Sequence, residues 1–567
     1  VRFRVLSLAL LATLLVAVAA VVVVTGRSPA TVADANAHGA PPTTIAAPAE
    51  IPVRPNIVLV LMDDFSMDLL QTMRSAEAMR RQGATYDRAF VVDSLCCVSR
   101  SSLMTGQYPH QTGVLTNTAN LPNPYGPIGG WEAFSANENT HRSVNVQLRE
   151  AGYTTGFVGK YLNQFEPGMT DLELPAGWSE FNALFGSAYD GWGFASSYVE
   201  GGELRTREHP IPPASASDAE KDAAYAGTVT QDLALDFIRR RTPREEPFYL
   251  EVAPYGPHSR VNGDTPWPEE PLFPPAMRDR VGHHGALGNC GRVDCGDLGL
   301  DDLVGHGDDQ TDNLPVRADG RPAPGWKPTT TLLQGEDAVV DLRNRARMVA
   351  SIDRMVERIL AAVDDDTYVV LTSDNGFHLG QHDLERGKGA PYDSDAHVPL
   401  LVVGPAVEPG VRRQVVNNID LATTFQDLAG VAPPAWRSGT SLAPSLADAA
   451  THGSRYAFFE HTYAPSLGMD PDKVYSGGTI DIIPSYLAIR SRDALLVRLD
   501  LDDDWESTDY AWEFYDYRDA PYERSNSYAD PAKQGEVRRM QRRLERFARC
   551  RESGDDAVPA RCRALTR

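Results

Sequence analysis

Two aspartates stand side by side at Asp63-Asp64, directly after an apolar run, and a second oxygen-rich cluster, Ser373-Asp374-Asn375-Gly376, follows another such run. Adjacent carboxylates repel one another unless a cation lies between them. Alone, the Asp63-Asp64 pair also reads as a solvated turn that caps the helical sequence behind it. With Asp374 and Asn375 it offers oxygen donors, mostly carboxylates, and that set suits a hard divalent ion, Ca2+ or Mg2+, rather than zinc. Cys96-Cys97 is the next unusual pair. Neighbouring cysteines rarely bond to each other because the ring is strained, so a chemical use is favoured over a buried free pair. Lys160 ends Thr155-Gly156-Phe157-Val158-Gly159 and Lys388 lies in Gly387-Lys388-Gly389, in a chain where about six of the 54 basic residues are lysine. An ammonium among small residues supplies point-charge stabilisation to developing negative oxygen. His258 follows Pro254-Tyr255-Gly256-Pro257, a turn that fixes its direction, and is a candidate proton donor. His110, in Tyr108-Pro109-His110, is a second candidate, with His378 and His382 behind the Asp374 cluster.

Residues of this kind need a scaffold that gathers them. Short apolar runs at Ile57–Met62, Thr155–Val158, Phe248–Val252, Tyr368–Thr372 and Leu400–Val403 read as buried parallel strands. Helical patterns at Ser143–Glu150, Val229–Arg240 and Arg343–Val363 lie between them. The alternation predicts an α/β fold, a large, mostly parallel sheet sandwiched by helices. Ligands in such sheets bind at the C-terminal strand ends, and Asp63-Asp64, Lys160, His258 and Asp374-Asn375 all fall there. Residues 260–335 are rich in Gly, Asp and Pro and read as an insertion near the site mouth. From about 455 onward the runs at Tyr486–Ile489 and Ala494–Leu499 look antiparallel, and an arginine-rich helix over Gln534–Ala548 closes a smaller α+β C-terminal part.

The stretch Leu95-Cys96-Cys97-Val98-Ser99-Arg100, with Thr105-Gly106-Gln107-Tyr108-Pro109-His110 after it, resembles the signature of the type I sulfatases of the alkaline-phosphatase superfamily. In that family a cysteine of a C-x-P-S-R core is oxidised to formylglycine. Cys96 is the residue in register with Ser99-Arg100, and Val98 stands at the proline position. The resemblance runs in the family's order through Asp63-Asp64, Lys160, His258, Asp374-Asn375 and Lys388. The C-terminal Glu513-Phe514-Tyr515-Asp516 and Asp519-Ala520-Pro521-Tyr522-Glu523 also resemble it. Gly159-Lys160-Tyr161-Leu162-Asn163 and Pro175-Ala176-Gly177-Trp178 are most similar to the N-acetylglucosamine-6-sulfatase-like branch. Many sulfatases carry a histidine where this chain has Leu162, which leaves His110 or His378 as stand-ins for the base of sulfate elimination. The resemblance implies a formylglycine- and calcium-dependent hydrolase of sulfate esters on a sugar or aryl alcohol, matured by a formylglycine-generating enzyme. It implies a nucleophile made from Cys96, metal held by Asp63, Asp64, Cys96, Asp374 and Asn375, and catalytic roles for Arg100, His110, Lys160, His258 and Lys388. The alternatives are a phosphodiester or phosphonate monoester hydrolase of the same superfamily, or a non-catalytic binder of sulfated glycans.

At 567 residues the chain is long enough for one large domain plus a smaller one. A net charge of -23 argues against nucleic acid as a partner. An apolar run over Val5–Val24 behind Arg2 and Arg4 reads as a signal peptide or membrane anchor within residues 1–26, and residues 27–54 as a flexible tether. The expected catalytic part is 55–450 and the C-terminal part 455–567, exported, secreted or anchored to the outer face of a membrane. Six cysteines fit export: Cys550 with Cys562 and Cys290 with Cys295 are the expected disulfides.

Overall fold

The computed structural model describes residues 54–119, 126–261, 263, 265–308, 310–327, 333–462, 483–501, 509–519, 522–551 and 557–567. The expected signal or anchor and nearly all of the tether lie outside the described residues. Among those described, no helix is long and apolar enough to cross a membrane.

The Asn56–Met62 strand shows why a sheet forms at the centre. Its side chains alternate between two faces. Ile57, Leu59 and Leu61 enter one apolar cluster, with Leu148 and Phe425 from the helices Val144–Glu150 and Asp420–Leu428. Val58, Val60 and Met62 enter another, with Phe237 from Ala226–Arg241 and Val349, Ile352 and Val356 from Gly335–Ala362. A strand buried on both faces has no polar alternation, which is why it reads as a continuous apolar run.

Ten strands make the sheet, in the order Gly410–Arg412, Ala84–Tyr86, Leu400–Val403, Thr367–Ser373, Asn56–Met62, Phe248–Ala253, Thr154–Gly159, Glu180–Phe185, Phe194–Glu200, Glu203–His209. The five from Thr367–Ser373 to Glu180–Phe185 are mutually parallel, so their C-terminal ends share one edge. Leu400–Val403 departs from expectation: it pairs antiparallel to Thr367–Ser373, with Thr372 opposite Leu400. A parallel neighbour needs a crossover to the opposite edge. The chain after Ser373 instead stays at the same edge, through the hairpin His378–Leu379 with Arg386–Gly387 and the short helix Asp393–Ala396, and enters the next strand from there.

A second, five-stranded sheet is antiparallel throughout, in the order Tyr456–His461, Tyr486–Ser491, Ala494–Asp500, Tyr510–Asp516, Val316–Arg317. Its last strand comes from the segment expected to be an insertion. The helix Gln534–Cys550 lays Val537, Met540, Leu544 and Phe547 on one stripe against Phe458, Ile489 and Leu496 of this sheet. Both expected disulfides are present, Cys290–Cys295 and Cys550–Cys562. Cys96 and Cys97 are buried and are not joined in a disulfide.

Candidate active site

The carboxyl edge of the parallel strands gathers most of the expected residues. The chain leaves Met62 into Asp63 and Asp64, and Asp64 takes a left-handed φ of 59°. A side chain other than glycine holds that conformation only when its surroundings impose it. Here the Asp64 N–H donates to Asp374 Oδ1 (3.1 Å), the Phe65 N–H to Ser373 Oγ (3.0 Å), and the Asp63 N–H to the Gly256 carbonyl (3.2 Å). From the long helix Gly335–Ala362, the buried Arg345 guanidinium donates to the Asp64 carbonyl and to Ser66 Oγ (3.0 Å). The ends of three strands and one helix thus fix a single turn.

Cys96 is the first residue of the wholly buried helix Cys96–Thr105. Asp93 holds the turn before it by accepting from the Leu95 N–H (3.0 Å). The Cys96 Sγ lies 3.6 Å from Asp63 Oδ1 and 3.8 Å from Asp64 Oδ1, and Lys388 Nζ donates to it at 2.7 Å. Val98 occupies the first helical turn, where the backbone N–H has no intrahelical acceptor. A proline would fit there too, so the helix itself does not discriminate between the two residues.

Three cations face three carboxylates. Lys160 Nζ donates to both oxygens of Asp63 at 2.8 Å. Lys388 Nζ also donates to Asp64 Oδ1. Arg100 donates from Nε to Asp374 Oδ2 (2.8 Å) and from Nη1 to the Lys160 carbonyl (2.7 Å). All six side chains are buried. Burial raises the Asp63 carboxyl above its ordinary range, against the pull of Lys160 and with help from Asp374 and Asp64. Burial works in the same sense on Asp374, but Arg100, then Lys160 and Lys388, overcome it and hold that group below its usual value. The Lys160 ammonium is desolvated, yet Asp63 and Cys96 keep it charged.

His258 stands on the other side of Asp64. Its Nδ1 lies 2.6 Å from the Ser259 carbonyl, the geometry of an N–H donated to that oxygen, and its Nε2 lies 3.5 Å from Asp64 Oδ2. Asp63, Asp64, Cys96 and His258 place ligand atoms within 4.8 Å of one another. Asp64 Oδ2 and Asn375 Oδ1 are buried and accept no hydrogen bond, while Asn375 Nδ2 donates to Asp64 Oδ1 (2.6 Å). Two orphaned oxygens beside a carboxylate pair are what a hard cation satisfies, so the residues fit a divalent ion. Asp374 is outside the 4.8 Å group, because its two oxygens face the Asp64 N–H and Arg100.

His110 is the expected site residue that the structure does not bring to this group. It lies in the short helix Pro109–Thr112, with Nδ1 2.5 Å from Glu460 Oε1 and its ring against Tyr108 and Phe547. Closeness in sequence to Cys96 misled because Gly106 and a new helix turn the chain toward the C-terminal sheet. His378 is fully buried, with Nδ1 2.9 and 3.0 Å from the Asp395 oxygens, and its Nε2 has no hydrogen bond. His382 packs on Tyr392 and lies 3.5 Å from Glu523, and burial pushes its pKa down to about 3. Tyr189 is a residue that no motif marks: its ring sits 4.5 Å from that of His258 and 5.0 Å from Lys160 Nζ.

The family model described as Sulfatase matches residues 55–431. The chain belongs to the sulfatase family. Among its relatives is the extracellular sulfatase SULF-1 homolog of Drosophila melanogaster, 30% identical over 69% of this chain and 31% of that protein. The N-acetylglucosamine-6-sulfatase of Homo sapiens is 30% identical over 66% of this chain and 61% of its own length. The chain therefore spans between about a third and three fifths of these two relatives. Among solved structures, a protein in complex with its substrate D-glucosamine-2-N,6-O-disulfate superposes with a TM-score of 0.59 at 19% identity, covering 89% of this chain and 99% of that one. That likeness shows a shared fold over 89% of this chain.

Proposed function

We propose that this sulfatase-family chain hydrolyses sulfate esters of sugars. The observation that carries the reading is the Cys96 thiol at a helix start, between Asp63 and Asp64 and within hydrogen-bond reach of Lys388. The human relative is named for a 6-sulfated amino sugar, and that class of alcohol is the one proposed here. Asp63, Asp64, Asp374 and Asn375, with the group at position 96, would hold calcium, or magnesium, which supplies Lewis-acid stabilisation of a sulfate oxygen. Oxidation of Cys96 to formylglycine by a formylglycine-generating enzyme would supply an oxygen nucleophile there in place of the thiol.

The chain's own residues do the rest. Lys160 and Lys388 neutralise charge that builds on the sulfate oxygens as the ester bond breaks. Arg100 pins Asp374 and the Lys160 backbone, so the carboxylates and ammonium groups are held before substrate arrives. With Nδ1 turned to the Ser259 carbonyl, His258 carries its exchangeable proton at Nε2, on the site side, for the departing alcohol oxygen. Three cations already balance three carboxylates, so a bound divalent ion leaves the pocket net positive, which suits an anionic ester. Two disulfides support action outside the cytoplasm.

The test is release of inorganic sulfate from N-acetylglucosamine 6-sulfate by protein made with a formylglycine-generating enzyme, alongside the mass of the Cys96 peptide. Expected are an aldehyde at position 96, turnover, and loss of turnover in Cys96→Ala by roughly a thousandfold or more. An unmodified thiol with turnover of a phosphodiester, surviving Cys96→Ser, would move the assignment to phosphoester hydrolysis. Binding of sulfated sugar without turnover would make the chain a binder.

A further inference from the structure

Tyr189 lies in the turn Gly186–Asp190, between the strands Glu180–Phe185 and Phe194–Glu200 at the far side of the large sheet. It is 5% exposed. Its ring meets Tyr255 edge-on at 4.6 Å and 87°, and the Tyr255 hydroxyl donates to the Leu184 carbonyl (2.6 Å). The next residue, Asp190, accepts from the Val261 N–H at 3.1 Å, so the turn is tied at both ends to the segment that bears His258. The ring held this way touches two site groups at once. The His258 imidazole packs on it at 4.5 Å with a 53° tilt, and the Lys160 ammonium lies 5.0 Å from its centroid. An ammonium over an aromatic face is attracted by the ring quadrupole, most strongly where both are desolvated.

We propose that Tyr189 is a positioning residue that holds the His258 imidazole and the Lys160 ammonium in the register needed when the ester's alcohol oxygen departs. The inference rests on the sulfate-ester reading above. In the step concerned the incoming oxygen nucleophile at position 96 would bond to sulfur as the sulfur–alcohol bond breaks, the electron pair of the broken bond stays on the alcohol oxygen, and His258 gives that oxygen its Nε2 proton while Nδ1 keeps its own toward the Ser259 carbonyl. An alkoxide of a sugar needs that proton far more than a phenoxide does. Removing the ring therefore penalises sugar sulfates more than activated aryl sulfates, and the aromatic ring, not its hydroxyl, is the part required.

The experiment compares the wild type, Tyr189→Phe and Tyr189→Leu, as full-length converted protein, on N-acetylglucosamine 6-sulfate and on 4-nitrophenyl sulfate. For Tyr189→Leu the expected result is a fall in kcat on the sugar sulfate of about 10- to 100-fold, with a clearly smaller fall on the aryl sulfate and little change in KM. Tyr189→Phe keeps the wild-type ratio of the two kcat values. Equal losses on both substrates, no loss, or a Tyr189→Phe variant as impaired as Tyr189→Leu would overturn the proposal. Crystal structures of the variants give a readout independent of turnover: His258 and Lys160 shift in Tyr189→Leu and stay in place in Tyr189→Phe, and unmoved groups in both count against it. A wild type that releases sulfate from neither substrate defeats the sulfate-ester reading, and the crystallographic comparison then still decides whether Tyr189 positions the pair. If Tyr189→Leu does not fold, Tyr189→Met, flexible and apolar, takes its place.

Discussion

Asp64 is engaged through both its backbone and its carboxylate. Its backbone is fixed by Asp374 and Arg345, one carboxylate oxygen takes Lys388 and Asn375, and the other accepts no hydrogen bond. A buried carboxylate oxygen without a donor is costly, so the protein without cation carries an unmet cost at this atom. Calcium added to chelator-treated protein should raise the melting temperature, with stabilisation of about 2.7 kcal/mol at a hundredfold excess over Kd. Asp64→Asn keeps the shape and removes the charge, and differential scanning calorimetry should show most of that calcium-dependent rise gone. A rise of equal size in Asp64→Asn would place the ion elsewhere. At this scale the sequence was readable wherever residue type and strand end coincided: Asp63, Asp64, Lys160, His258 and Asp374 were all legible. It was unreadable for Tyr189, because a tyrosine in a turn has no pattern, and misleading for His110, whose place depends on the direction the chain takes after Gly106.

At the level of the element, the Phe248–Ala253 strand carries a hidden charge. Glu251 lies wholly inside, accepts a hydrogen bond from the Tyr249 hydroxyl (3.0 Å), and is pushed by burial to about 7 despite Arg100 nearby. The folded protein prefers it neutral. Its contribution is complete below the ordinary glutamate range and is lost as pH rises through about 7, worth at most about 3 kcal/mol. Glu251→Gln mimics the neutral form. Thermal melts should show the variant gaining on the wild type between pH 5 and pH 8 (roughly the window set by the two pKa values), and parallel curves would contradict the assignment. Strand existence was legible here and in the other four runs because each is a short apolar stretch buried on both faces. Strand direction was not: nothing in Leu400–Val403 itself distinguishes a parallel from an antiparallel neighbour, since direction is decided by where the preceding connection ends.

For the whole molecule, the two sheets are coupled near the C-terminus. The Cys550–Cys562 bridge joins the end of the Gln534–Cys550 helix to the final turn, whose Val558 N–H donates to the Ala435 carbonyl (3.0 Å). Replacing both cysteines by serine removes a constraint on a short loop and should lower stability by about 2–3 kcal/mol in denaturant melts, at unchanged sulfate release per folded molecule. A fall in turnover without a fall in stability would instead give this end of the chain a part in the chemistry. The pairing of both disulfides was legible because each brackets a short polar loop. The membership of Val316–Arg317 in the C-terminal sheet was not, because a two-residue strand carries no period.

That two-residue strand imposes an order on synthesis. Val316 and Arg317 leave the ribosome long before their partners Trp512 and Ala511, so for nearly two hundred residues of elongation the segment waits with its ladder unmade. The large sheet can close by then, but the smaller one cannot. A nascent chain in this state presents unpaired backbone and the apolar face later covered by the last long helix, a surface that other chains can join. Premature termination between Arg412, where the last strand of the large sheet ends, and Tyr510 would strand the protein there, with the large sheet's strands all made and the smaller sheet unclosed.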